Sequence, residues 1–226
     1  MKEYIYDFWG WNTKLFLIVN HLTNNNGLIP KISYVLSSIF FINNFVIYYL
    51  LLCVYLLWQL RNYQGTKRFV QFTKGFDYLL SLGSVYIVFF LVYSSLKFSI
   101  NFPRPYCSLP SSQVQTIQDM MNGVRCLSSF PSAHTGLALL IIVFLWPSLS
   151  KAQKFLGVLI VIGVGISRMT LAMHYPADII YSCIITCVII CVVKTVLGLP
   201  KVRSLTSMIG CKMYNLVSKV LLLSVK

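Results

Sequence analysis

Two of the three histidines in this chain stand in company that could make them chemical. The stretch 167–178 reads Ser-Arg-Met-Thr-Leu-Ala-Met-His-Tyr-Pro-Ala-Asp, so an arginine, a histidine and a carboxylate fall within twelve residues between two apolar runs. Pro176 suits the first turn of a helix, where its missing N–H costs nothing. A helix starting there sets His174 and Asp178 about one turn apart on one face. A carboxylate so placed can accept the imidazole Nδ1 proton, which fixes the tautomer and leaves the Nε2 lone pair outward. That is the chemistry of a nucleophile or a base. Taken alone, the same stretch reads equally well as a capped helix start with a surface histidine.

Two further groups carry charge where topology does not ask for it. Lys97 closes an apolar run, and Arg104 follows between Pro103 and Pro105. The prolines hold the backbone extended and restrict where the guanidinium can point. An ammonium and a planar fork together suit a phosphate, although two cations at a span end also suit lipid headgroups. Next comes Phe130-Pro131-Ser132-Ala133-His134-Thr135-Gly136, directly before another apolar run. Ser132 is placed to cap a helix whose free N–H groups make an anion site, with His134 beside it. The third histidine, His21, lies beside an Asn-rich turn at 24–27 and reads as structural or interfacial.

These groups need something to hold them, and composition says what. Hydrophobic residues make up 57% of the chain and charged ones 11%. Crossing a bilayer takes roughly 20 apolar residues. Five runs approach or meet that length: 39–60, 76–96, 135–149, 155–171 and 179–199, the third and fourth being short. The fold class is therefore all-α, a polytopic membrane bundle of five spans with a possible sixth N-terminal or re-entrant segment. One membrane-embedded domain over 1–226 is expected, with its motifs in 76–199. Residues 1–38 read as an interfacial or re-entrant segment, because Trp9, Trp11, Tyr4 and Tyr6 suit the headgroups while Glu3, Asp7 and Lys14 oppose a crossing. No cleaved signal peptide is expected. Residues 204–226 scatter lysines among apolar residues, as a helix lying on the cytoplasmic surface would.

Nineteen Lys and Arg against five Asp and Glu give a net charge of +14. Topology accounts for most of it. Arg61, Lys67, Arg68, Lys74, Lys151, Lys154, Lys194, Lys201 and Arg203 fall on one side, which the positive-inside rule makes cytoplasmic. Nucleic acid is thus not an expected partner; membrane lipids are. The end of the second span, the start of the third, the end of the fourth and the start of the fifth share the opposite face. Lys97, Arg104, Ser132, His134, Arg168, His174 and Asp178 can therefore meet in one pocket. Of the seven cysteines, Cys53, Cys183, Cys187 and Cys191 lie within spans as small apolar residues. Cys107 and Cys126 share the long loop on the non-cytoplasmic side, where a disulfide would brace it.

Lys97 with Arg104-Pro105, Pro131-Ser132-Ala133-His134, and Ser167-Arg168 with His174 and Asp178 resemble the three signature motifs of the type 2 phosphatidic acid phosphatase family. The family also includes soluble vanadium-dependent haloperoxidases, which the apolar spans argue against. The one departure is Ala133, where the family commonly has glycine; alanine keeps the backbone N–H and adds a methyl. The resemblance implies a phosphohydrolase that needs no metal or other cofactor. His174 would be the nucleophile that becomes phosphohistidine, Asp178 its orienting carboxylate and His134 the general acid. Lys97, Arg104, Ser132, Ala133 and Arg168 would bind the phosphoryl oxygens.

The implied substrate is a lipid phosphate, either undecaprenyl pyrophosphate or a phospholipid phosphate. The compact length and the 12–26 stretch are loosely similar to the bacterial undecaprenyl-pyrophosphate phosphatases. The expected setting is the bacterial inner membrane, with the site facing the periplasm or exterior. A lipid A phosphatase or a lipid phosphotransferase would use the same residues. An anion or lipid transporter is the more remote reading: it would place polar groups near the midplane, whereas here the ionisable residues cluster at one end. The loop 107–130 is the expected selector of the headgroup.

Overall fold

A computed structural model describes residues 6–25, 27–116 and 125–220. The chain is helical, and its only bridge among the described residues pairs Pro103 with Leu127. The helices are α1 (Trp11–Asn24), α2 (Leu28–Ile39), α3 (Asn44–Gln59), α4 (Gly65–Ser99), α5 (Ala133–Leu145), α6 (Lys151–Thr170), α7 (Pro176–Gly198) and α8 (Pro200–Val220), with one further turn at Pro105–Ser108. Four segments are long and apolar enough to cross a membrane: Asn44–Asn62, Gly65–Ser99, Lys151–Thr170 and Pro176–Gly198. Leu28–Ile39 and Ala133–Ser148 are apolar but shorter. The membrane-bundle class read from the sequence is therefore the observed one.

Several boundaries moved. The first span was expected over 39–60, but α2 ends at Ile39 and the chain turns through Phe40 before α3 starts at Asn44. The second was expected over 76–96, yet α4 runs for 35 residues, roughly 52 Å at 1.5 Å per residue. Nothing between Gly65 and Ser99 breaks it, since Gly75 and Gly83 are tolerated inside a helix. Lys67, Arg68 and Lys74 therefore lie on a helix rather than in a loop. The N-terminal stretch is a pair of helices, 14 and 12 residues long, the first ending at Asn24 and the second starting at Leu28. The C-terminal helix begins at Pro200, before the expected 204, with proline again in the first turn.

The described chain forms two compact units. One comprises residues up to 42 with 90–188, the other 43–89 with 189 onward. In the second, Phe45 stacks on Tyr86 with centroids 3.7 Å apart, and Tyr49 donates to the Leu79 carbonyl at 3.0 Å. Tyr214 of α8 meets Phe69 and Phe72 of α4 edge-on.

The first unit is built around α6. A reciprocal cap starts that helix: the Ser150 N–H donates to Gln153 Oε1 at 2.9 Å, and the Gln153 N–H donates to Ser150 Oγ at 3.4 Å. Along its length α6 offers Gly157, Gly163 and Gly165, and against them lie Ile142 of α5, Leu36 of α2 and Ile179 of α7. Such small residues let helices approach where lipid gives no hydrophobic drive between them. Its last carbonyls are satisfied by α1: Asn20 Nδ2 donates to Met169 O and Thr170 O, each at 3.1 Å, and Asn24 Nδ2 donates to Thr170 O at 2.9 Å. Two asparagines of the N-terminal segment are thus its attachment to α6. Ala172 then turns in the left-handed region, φ 53°, and the Met173 and His174 N–H groups close on Arg168 O. Phe16, Val114, Met169, Ala172 and Tyr175 pack as one apolar cluster beneath this turn.

Cys107 and Cys126 form a disulfide, Cα–Cα 5.7 Å, and no other described cysteine is disulfide-bonded. Alkylation of the intact protein should reach Cys107 and Cys126 only after reduction, as mass mapping would read. A second prediction concerns the α6–α7 approach. A Cβ at Gly165 would sit 3.0 Å from Ile179 Cγ2, so Gly165→Val should lower stability by about 1–3 kcal/mol in detergent unfolding. Ile179→Ala in the same chain should recover part of that loss.

Candidate active site

Four helix ends and one extended segment supply the charged groups, all within the first unit. Lys97 stands in the last turn of α4, Arg104 just before the turn Pro105–Ser108, Ser132 and His134 at the start of α5, and Arg168 in the last turn of α6. His174 lies in the linker after α6, and Asp178 in the first turn of α7, which begins at Pro176 as the sequence suggested. Arg104, Ser132, Arg168, His174 and Asp178 are all buried, His174 to 1% exposure and Asp178 to 0%.

The segment 125–129 organises the cations. Lys97 Nζ donates to Ser128 O at 3.0 Å. Arg104 Nε donates to Arg125 O at 3.1 Å, and its terminal nitrogens donate to Ser128 Oγ and Met173 O at 3.3 and 3.4 Å. The Arg104 N–H binds Cys126 O at 2.8 Å, so the disulfide anchors the segment that the two cations rest on. Arg168 donates to Ser37 Oγ of α2, while its Nε has no hydrogen-bond partner among the described residues. Burial above all lowers the pKa of Arg104 from its ordinary value, although the group stays a cation at any working pH.

His174 and Asp178 are neighbours, with Nδ1 3.5 Å from Oδ2. That distance is too long for a hydrogen bond, and Nδ1 makes none among the described residues. The Asp178 carboxylate instead accepts the Tyr6 hydroxyl at 2.6 Å, the Ser129 hydroxyl, and the Tyr175 N–H at 2.9 Å. Burial pushes the His174 pKa well below the ordinary imidazole value, and the charges of Arg104, Arg168 and Lys97 and the nearby His134 push it the same way. The neutral ring, which carries a nucleophilic lone pair, is therefore favoured. The His134 ring packs against Phe41, centroids 5.9 Å apart.

Ser132 departs from its expected local role. It holds the N-cap position of α5, but its hydroxyl meets Thr135 Oγ1 at 3.0 Å and caps no backbone N–H. Its own N–H points to Asp178 O at 3.4 Å. His21, set aside in the sequence, contacts Gln113 O at 2.6 Å and lies outside the site. Of the headgroup loop, residues 117–124 fall outside those described.

Sequence reasoning missed Tyr6, Ser37, Ser128 and Ser129. The serine pair directly before the Phe130-Pro131-Ser132 motif was a readable signal, since buried charges need partners. Ser37 and Tyr6 gave none, because each arrives from a helix or turn more than a hundred residues away in sequence. The assembled groups can hold a tetrahedral anion, present an imidazole to it and steady that imidazole with a carboxylate. Among the described residues, no three His, Cys, Asp or Glu gather as metal ligands would.

The family profile of the PAP2 superfamily matches residues 75–199. Among curated proteins nothing matches. Among solved structures, the chain resembles the crystal structure of Aquifex aeolicus LpxE, with TM-score 0.63 and 18% identity, over 82% of this chain and 95% of that one. The matched segment takes in Lys97, Arg104, Ser132, His134, Arg168, His174 and Asp178, more than half of the chain in all. The chain belongs to the PAP2 superfamily, and is a hydrolase acting on lipid phosphates.

Proposed function

We propose that this lipid phosphatase works without a metal, through a phosphohistidine on His174. The observation that carries the reading is a buried imidazole 3.5 Å from a buried carboxylate, where burial and the charges of Arg104, Arg168 and Lys97 favour its neutral form. Lys97, Arg104 and Arg168 draw the phosphoryl group in, with the N–H groups at the start of α5 and Ser132 completing the cradle. Nε2 of His174 attacks phosphorus, and the bond from phosphorus to the lipid oxygen breaks. Burial, and after it Arg168, Lys97 and Arg104, hold the His134 pKa well below the ordinary imidazole value, so His134 takes up a proton together with the anionic substrate and gives it to that oxygen. The phosphorylated ring is then cationic, and Asp178 closes on its Nδ1–H. Water attacks next, losing a proton to His134; the N–P bond breaks and phosphate leaves with both histidines restored. Phosphate esters hydrolyse so slowly in water that preorganised positive charge is the natural source of acceleration.

The substrate we favour is undecaprenyl pyrophosphate or a phospholipid phosphate. A phosphate site at the ends of apolar helices suits a phosphate carried on a membrane lipid. The periplasmic face of a bacterial inner membrane fits the basic residues at the opposite helix ends and a disulfide, which persists in oxidising compartments. The whole chain would then act as one membrane-embedded domain.

Phosphate release by purified protein in mixed micelles should identify the lipid across phosphatidic acid, phosphatidylglycerophosphate, undecaprenyl pyrophosphate and lipid A. His174→Ala should abolish turnover in a chain that still folds, and wild-type turnover there would sink the nucleophile assignment. His134→Ala should lower kcat by roughly 10²–10⁴-fold. Asp178→Asn should lower kcat with KM largely kept. A chelator should leave the rate unchanged; strong inhibition would argue for a metal. Abundant phosphorylated acceptor with little free phosphate would favour transfer over hydrolysis.

A further inference from the structure

We propose that residues 6–12 belong to the catalytic apparatus, with Tyr6 as a positioning residue that fixes the Asp178 carboxylate and, through it, the His174 ring. The proposal rests on the phosphohistidine reading given above. A carboxylate offers about four lone-pair sites on two oxygens. Around Asp178 they are shared unevenly. Oδ2 accepts the Ser129 hydroxyl and the Tyr175 N–H, and lies 3.5 Å from His174 Nδ1. Oδ1 accepts the Tyr6 hydroxyl at 2.6 Å. The torsion that turns a carboxylate about its Cβ–Cγ bond is soft. A donor anchored on Oδ1 stops that rotation and keeps Oδ2 facing the imidazole.

Tyr6 is itself held by the catalytic motifs. Its ring lies 4.3 Å from Phe102, 6.1 Å from Phe130 and 6.4 Å from Tyr175, centroid to centroid. Phe102 stands two residues before Arg104, Phe130 two before Ser132, and Tyr175 directly after His174. One ring therefore touches all three motif segments, and its hydroxyl reaches the carboxylate among them. Burial, and after it the charge of Asp178, raises the pKa of this phenol, so it remains a proton donor at working pH. A second contact ties the same segment to α7: buried Asn12 accepts the Ala177 N–H at 2.9 Å, satisfying a free donor of the helix's first turn. The aromatics expected to sit among headgroups thus include one that faces inward.

Tyr6→Phe removes the hydroxyl and keeps the ring, which separates positioning from packing. In the full chain, assayed for phosphate release from phosphatidic acid and from undecaprenyl pyrophosphate in mixed micelles, kcat should fall roughly 10- to 100-fold, the loss of one hydrogen bond to a charged group. KM and melting temperature should stay as in the wild type. In an Asp178→Asn background the same change should cost nothing further, because the group it acts through is gone. Wild-type kcat in Tyr6→Phe overturns the proposal. So does a loss carried by KM or by melting temperature, or a loss that persists in full beside Asp178→Asn. His174→Ala, assayed alongside, keeps the two readings apart. If it turns over, the phosphohistidine reading fails; if it is inactive while Tyr6→Phe is unaffected, only the role of Tyr6 fails.

Discussion

Three cations and one carboxylate bear on a single buried imidazole, and the rest of the first unit answers to that surplus of positive charge. Lys97, Arg104 and Arg168 repel one another, and burial removes the water that would screen them. Asp178 offsets one charge. The others are made tolerable by dipoles: the carbonyls of Arg125, Ser128 and Met173 and the hydroxyls of Ser37 and Ser128 all point at the cations. Such an arrangement does not maximise stability, since buried charge is costly even when well partnered. It suits an anion, and the buried Nε of Arg168, without a hydrogen-bond partner among the described residues, is a donor one could use.

Holding that charge falls to the helix ends and the short segments between them. The glycines of α6 let α2, α5 and α7 close around one pillar, so Arg168, His134 and Asp178 ride on mutually packed helices. Where α6 stops, the side chains of Asn20 and Asn24 take up its free carbonyls, and the turn through Ala172 aims His174 back over Arg168. The extended segment 125–129 does for Lys97 and Arg104 what the helices do for the histidines. Its tie to Cys107 shortens the chain that would otherwise wander. Precision at the site thus comes from rigid elements meeting at their ends.

Much of this was legible because the signals were local. Apolar runs announced the spans, Pro176 the start of α7, the asparagines a turn, and three charged motifs the pocket. Two cysteines in one loop announced the disulfide. What failed to show was set by partners distant in sequence. Residues 65–75 looked like a charged loop, but charge alone does not end a helix, and α4 runs on through Lys67, Arg68 and Lys74. Phe40 to Asn43 breaks the helix with no proline or glycine to betray it. Ser132 was expected to cap α5, yet packing turned its hydroxyl to Thr135. Asn12 and Asn20 drew no notice in the sequence, yet each is buried against a helix end whose free backbone groups it satisfies. Tyr6 was the hardest to see, since nothing near it in sequence hints at a carboxylate 172 residues on.

The central claim is that His174 itself carries the phosphoryl group. A phosphohistidine is labile in acid and stable in alkali, unlike a phosphoserine, so the linkage can be recognised by its chemistry. The most direct measurement mixes protein with a lipid substrate labelled at the hydrolysed phosphorus, quenches in alkali within the first turnover, and maps the label. The account predicts an alkali-stable, acid-labile label on the peptide bearing His174, absent when His174 is alanine. Label on Ser132 or His134 instead, or full turnover with no trapped phosphoenzyme under any quench, would contradict it.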